Sequence, residues 1–139
     1  MKTRLSIKEF GNPILRSGSQ KISISDIRTT HIQTLIADMR QTLIEKDLGI
    51  GLAAPQIGHA TSLAIIAIRP NKRRPKAEPF DLVIINPKIT NTYGNRVQQY
   101  EGCISGGSGG AGLFAKVPRY KKLKLSYYDE NGKTPKRNI

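Results

Sequence analysis

Apolar positions along this chain change their period, and each change predicts a different element. Over residues 25–44 the apolar side chains Ile32, Leu35, Ile36, Met39 and Leu43 recur at steps of three and four. That spacing lines one face of an amphipathic helix, with Ser25 or Asp26 as its N-cap and Gly49 and Gly51 ending it. Short apolar runs follow, the signature of strands. Residues 62–68 form a compact run between Gly58 and Pro70, and residues 81–87 form a second, stopped by Pro87. Residues 88–93 continue it after a kink, and 96–100 make a third, polar strand. Residues 121–128 alternate basic and apolar, as a half-exposed strand does. Residues 10–16 open with an Asn-Pro turn, 69–79 read as an exposed loop rich in proline and cations, and Asn131-Gly132 signals a hairpin. One strong helix ahead of mostly antiparallel strands places the chain in the α+β class.

Composition narrows this picture. The 139 residues fit one domain over 1–139, with enough chain for a modest core. The longest apolar run, 63–68, is far short of the roughly 20 residues of a membrane helix, and residues 1–10 show no secretory signal. A single cysteine rules out an internal disulfide framework and suits a reducing, cytoplasmic home. Lys and Arg number 23 against 10 Asp and Glu, a net charge of +13. The cations are densest in Arg69-Pro-Asn-Lys-Arg-Arg-Pro-Lys76 and in a C-terminal stretch holding Lys116, Arg119, Lys121, Lys122, Lys124, Lys133, Lys136 and Arg137. Such charge favours anionic partners, nucleic acid above all, or simply keeps a basic surface soluble.

Two segments look unlike scaffold. In Gly49-Ile-Gly-Leu-Ala-Ala-Pro-Gln-Ile-Gly58 the glycines permit positive φ and close approach of a ligand, and Gln56 both donates and accepts hydrogen bonds. The same string also reads as a glycine-punctuated turn. In Glu101-Gly-Cys-Ile-Ser105, Cys103 is a nucleophile or metal ligand, or else a small buried hydrophobe. His31 and His59 read as ordinary residues. Gly106-Gly-Ser-Gly-Gly-Ala-Gly112 is linker-like, either a mobile lip beside a cleft or an insertion. It contains Gly-x-Gly-x-x-Gly, but Pro118 and the strand-like run after it exclude the helix a dinucleotide site needs. No Gly-Lys-Ser/Thr follows for a phosphate loop.

Taken together these segments resemble the peptide deformylase family, over nearly the whole chain. Phe10-Gly-Asn-Pro-Ile-Leu-Arg16 is similar to the family's N-terminal piece. Gly49-Ile-Gly-Leu-Ala-Ala-Pro-Gln56 and Glu101-Gly-Cys-Ile-Ser105 resemble its first and second motifs, and Val117-Pro-Arg119 and residues 126–132 sit where the family has them. The resemblance implies removal of the formyl group from the N-terminal formyl-methionine of nascent polypeptides. It implies a divalent metal, Fe²⁺ with Zn²⁺ or Ni²⁺ substituting, on one thiolate and two histidines, with water as the remaining ligand. A glutamate of a His-Glu-x-x-His helix moves the proton. Carried onto this chain, Cys103 is the metal ligand. Gln56 and the backbone N–H of Ile104 are the oxyanion donors. Ile50 and Gly51 line the substrate cleft, and Glu101 pairs with Arg119 to support the ligand loop.

The 139 residues contain no His-Glu-x-x-His, and neither His31 nor His59 matches a ligand position. The expectation is a deformylase-like domain lacking its C-terminal metal-binding helix, which retains no metal and is inactive as given. The alternative is a non-catalytic module of the same fold that holds peptide N-termini or docks on ribosomal RNA. No membrane partner and no specific nucleic acid are expected. Without the helix, residues 63–68 and 82–85 are expected to expose apolar surface.

Overall fold

The predicted helix forms in two pieces. In the computed structural model, which describes residues 5–46, 49–107, 114–135 and 137–138, α1 is Ile24–Ile27 and α2 is Thr30–Ile44. Between them Thr29 is extended (φ −67°, ψ 152°) and is the N-cap of α2, in place of Ser25 or Asp26. Its hydroxyl donates to the Asp26 carbonyl at 2.7 Å. A local side-chain bond thus competes with helical backbone pairing, as threonine hydroxyls do. α2 ends at Ile44 with Glu45 as C-cap, ahead of both glycines expected to end it. Gly49 is instead a packing residue. A Cβ there would lie 2.7 Å from Leu43 Cδ1 and 3.4 Å from Ile104 Cγ2, so the bare backbone admits two core side chains.

Among the described residues five strands form one antiparallel sheet in sequence order. They are β1 Gly51–Ala53, β2 Leu63–Ile68, β3 Phe80–Gly102, β4 Phe114–Tyr128 and β5 Arg137–Asn138. Alternation along β2 turns Leu63, Ile65 and Ala67 to one face, which they share with their direct partners Ile85, Val83 and Leu52. These side chains join Ile32, Leu35, Ile36, Met39 and Leu43 of α2 in the core. Full burial of each such side chain contributes about 1.5–3 kcal/mol relative to exposure. The expected exposure at 63–68 and 82–85 is found only in part: Leu63, Ile65, Ala67, Leu82, Val83 and Ile85 are buried, while Ala64, Ile66, Ile68 and Ile84 between them are half-buried. On the face of the sheet toward the helix, α2 supplies the cover. Exposed large apolar side chains lie further along β3 and β4 instead, at Ile89, Tyr93, Tyr100, Phe114 and Tyr120.

The segments 81–87, 88–93 and 96–100 are one strand, and Pro87 does not stop it. Pairing steps from Ile85 opposite Tyr128 to Lys88 opposite Ser126, and Asn86 has φ 51°. The bulge takes the proline, which has no N–H, out of the ladder. Asn86 turns its amide to Ile22, accepting from its N–H at 2.9 Å and donating to its carbonyl at 2.8 Å. β4 likewise starts before residue 121 and runs through Pro118. Among the described residues it pairs with β5 only at Lys124 and Leu125, so at Pro118 it is an edge strand, where proline is tolerated. Beyond the bulge, β3 and β4 continue as a long ribbon whose end carries the second motif. Residues 108–112 of the glycine run lie outside the described residues. At the other end the Asp129 carboxylate accepts from the N–H groups of Asn131 and Lys133 at 2.9 Å, turning the chain toward β5. Among the described residues no helix is long and apolar enough to cross a membrane.

Arg40 ties α2 to the ribbon's base. Its guanidinium donates to both Glu130 carboxylate oxygens at 2.8 and 3.0 Å and to Asp81 at 2.9 Å. The Glu130 bonds, more than the Asp81 bonds, raise its pKa above the ordinary value. Arg40→Gln is expected to lower unfolding free energy by about 1–2 kcal/mol, the range for charged hydrogen bonds discounted for partial exposure. A urea melt shifted by less than the fitting error would remove this tie. Gly49→Ala should cost about 1–3 kcal/mol by overpacking in the same assay, whereas Gly18→Ala, with nothing within 4 Å of the added Cβ, should not.

Candidate functional site

The first motif is shaped by its ends. β1 passes into a 3₁₀ helix, Ala54–Ile57, with Pro55 in its first turn and Gly58 as C-cap at φ 89°. Proline's fixed φ suits that start, and the left-handed cap favours glycine. Within this turn the Gln56 side chain reaches back, and its Oε1 accepts from the Ala53 N–H at 2.9 Å. The Ala53 N–H can only donate, so it sets which end of the carboxamide is oxygen. Nε2 therefore faces away from the turn. It donates to Ser105 Oγ at 3.1 Å and to Cys103 Sγ at 3.4 Å.

The second motif arrives from the far end of the ribbon. Cys103 is exposed, not the buried hydrophobe a lone cysteine often is. It caps a short 3₁₀ helix, Ile104–Gly106. Ile104 is the first residue of that helix, a position whose N–H has no intrahelical acceptor. Its side chain packs against the main core. Ser105 is only 1% exposed, and its burial is matched by the bond from Gln56. The N-terminal segment straps both motifs: the Lys8 N–H donates to the Gln56 carbonyl at 2.7 Å, and the Phe10 N–H to the Ser105 carbonyl at 2.8 Å.

The structure thus brings together Gln56, Cys103 and Ser105, with Ile104 beside them in sequence. Glu101 and Arg119 form a bidentate pair on the ribbon, Nε to Oε1 at 2.8 Å and Nη2 to Oε2 at 2.7 Å. Those bonds hold the Glu101 carboxyl below its ordinary 4.5 and raise Arg119. Ile50 has an exposed side chain, and its carbonyl accepts from the Ala67 N–H at 2.9 Å. Gly51 lies in β1 opposite Ile66. A Cβ there would meet only the Ile65 carbonyl oxygen, at an ordinary 3.5 Å. His31 lies in the first turn of α2 and His59 follows Gly58. Among the described residues no three of His, Cys, Asp and Glu group closely enough to hold a metal ion.

Sequence reasoning gave Ser105 no role, although it anchors Gln56. The signal was a small hydroxyl closing the cysteine motif, next to an apolar residue that packs against the core. The strap from Lys8 and Phe10 uses backbone groups alone and leaves no such signal.

Known proteins resemble this chain in sequence and in fold. The sequence pattern of the polypeptide deformylase family matches residues 4–138. A peptide deformylase of Leptospira biflexa is 37% identical over 127 residues, spanning 90% of this chain and 68% of the relative. Peptide deformylase 2 of a Nostoc species is 36% identical over 137 residues, spanning 97% and 72%. Among solved structures, the Met-Ala-Ser-bound class I type b peptide deformylase of Acinetobacter baumannii superposes with a TM-score of 0.89 at 26% identity, covering 100% of this chain and 85% of that one. The Synechococcus elongatus peptide deformylase in complex with actinonin gives 0.80 at 32% identity, covering 100% and 70%. Fold and sequence agree, and the chain belongs to the peptide deformylase family.

Proposed function

We propose that this site serves removal of the formyl group from formyl-methionyl N-termini of nascent polypeptides, and that these 139 residues hold the oxyanion-binding part of it with one metal ligand. The observation that carries the reading is the Gln56 carboxamide, held by Ala53 and Ser105 with an N–H on the Cys103 sulfur. A donor fixed in advance beside the reacting centre stabilises charge that develops on a carbonyl oxygen there. The Ile104 N–H is the second donor. Ile50 and Gly51 lie at β1, an outer strand of the sheet, where an extended peptide can add its backbone hydrogen bonds. The A. baumannii relative was solved with Met-Ala-Ser bound, a peptide that begins with methionine. Glu101 and Arg119 hold the ribbon end just ahead of Cys103. An exposed thiol suits the reducing cytoplasm.

The family works with a catalytic metal, and the donor set present here does not fit one. Catalytic sites of this kind use three protein ligands. Cys103 supplies one, and no group of three forms among the described residues. These 139 residues by themselves are therefore inactive in this reading. Incubated with Fe²⁺, Ni²⁺ or Zn²⁺ and a formyl-Met-Ala-Ser peptide, the chain should bind metal far below one per molecule and release no formate above the blank. One metal per chain with clear turnover overturns the inactivity. Adding a His-Glu-x-x-His helix after residue 139 should restore both. In that extended protein Gln56→Ala should lower kcat by about a hundredfold or more with metal content kept. An extended chain that holds metal but releases no formate overturns the assigned reaction.

The Glu101–Arg119 pair has its own pH signature. Because the folded carboxyl titrates below its ordinary 4.5, the pair's contribution is complete above that value. It is lost as pH falls through the lowered one. In Arg119→Gln the Glu101 titration, followed by NMR, should move back up toward 4.5. An unmoved midpoint would mean that another group holds the carboxylate.

A further inference from the structure

We propose that one face of the β3–β4 ribbon, apart from the Gln56–Cys103 site, is a docking surface for single-stranded RNA. Alternation along β4 puts Lys116, Tyr120, Lys122 and Lys124 on the same side. Their direct partners share it: Tyr100 faces Lys116, Arg96 faces Tyr120 and Tyr93 faces Lys122. Each of these three pairs sets a cation across from a ring. The Arg96 guanidinium lies 4.9 Å from the Tyr120 ring centre, and Lys116 Nζ lies 5.3 Å from that of Tyr100. The rings are open to solvent, with Tyr93 44%, Tyr100 72% and Tyr120 40% exposed.

Among the described residues no carboxylate pairs with the cations on this face. β4 contains no carboxylate. The two in β3 are already engaged, Asp81 by Arg40 and Arg69 and Glu101 by Arg119. The opposite face differs in kind. Leu123, Leu125, Val97 and Val117 are half-buried there, beside the Arg119–Glu101 pair. A soluble basic surface needs the lysines but has no use for three exposed tyrosines between them.

Phosphates and bases use both. Lysines and Arg96 neutralise a backbone without regard to sequence, and exposed rings offer stacking platforms for unpaired bases. Successive ring-bearing rows lie two and four residues apart on β4, about 7 and 13 Å along the strand, a track for several nucleotides. Stacking selects single strands over duplex, whose bases are already stacked. All three platforms are tyrosines, whose hydroxyls can bond the 2′-OH that marks RNA.

Fluorescence anisotropy of the full chain with a labelled oligouridylate of about 12 nucleotides tests this. With four cations engaged, affinity should fall about 50-fold when salt rises fourfold, from a slope of about 0.7 per phosphate on single strands. Lys122→Gln with Lys124→Gln should lower that slope by about 1.4. Tyr100→Ala with Tyr120→Ala should weaken binding about tenfold or more and leave the slope unchanged. Removing the same charge from the 69–79 loop, Lys72→Gln with Arg73→Gln, should change affinity less than about threefold. All the substituted side chains are exposed, and matching circular dichroism melts will show that each variant is folded. Equal losses from the loop and ribbon pairs would reduce the effect to net charge and overturn the proposal. Equal affinity for the deoxy oligomer overturns the choice of RNA, and capture by phosphatidylglycerol vesicles with no RNA binding overturns nucleic acid altogether.

Discussion

A carboxamide in a tight turn has an oxygen end and a nitrogen end, and in Gln56 the neighbouring backbone decides which goes where. The Ala53 N–H takes the oxygen at 2.9 Å, so the N–H groups point across to Cys103 and Ser105. Rotating that amide would set a donor against a donor at Ala53, a conflict that Ser105 cannot relieve, since its hydroxyl accepts either end of the carboxamide. A buried polar group without its partner costs about 1–3 kcal/mol, so the orientation is strongly held. The relation between the two motifs, and with it the candidate site, depends on this one side chain.

What delivers the second motif to Gln56 is the ribbon. β3 is 23 residues long and β4 is 15, far beyond the strands α2 covers, and the ribbon's end must return to the body to meet β1. Three register shifts along it add extra residues on one strand, which bends and twists a ribbon. At its end Ile104 enters the core beside Gly49, where an added Cβ would crowd it, while Phe10 bonds the Ser105 backbone. Cys103 is left exposed just ahead of these two anchored residues, so the thiol is positioned without being buried.

Membership of the deformylase family makes sense of the thiol, the amide and the helix-start N–H standing together. It also makes plain what this set does not contain. One sulfur is a single donor, and neither His31 nor His59 joins it in a group of three among the described residues. The ribbon's basic, tyrosine-bearing face answers to a different chemistry. Nothing on it is drawn into the site, and its charges lie along one side of a sheet that elsewhere pairs its carboxylates.

Local physics sufficed for much of this. The 3.6-residue period identified α2 and its buried stripe, the apolar run of β2 read correctly, and Asp129 and Gly132 turned the chain where Asn-Gly predicted. The two motifs were visible as strings, and their joint resemblance named the family before any contact was known. Short-range rules failed where a distant partner changed the cost. Pro87 read as a strand stop and β4 read as starting only at residue 121, after Pro118, yet a bulge and an open edge removed the penalty of each proline. Gly49 read as a helix end or a ligand approach, yet Leu43 and Ile104 demand it. The sequence by itself determined the α+β class, the core face of α2 and the identities of the groups at the site. Only the tertiary structure decided that Gln56 joins Cys103 to Ser105, because a hydrogen bond between residues 47 and 49 positions apart exists only once the ribbon has folded back.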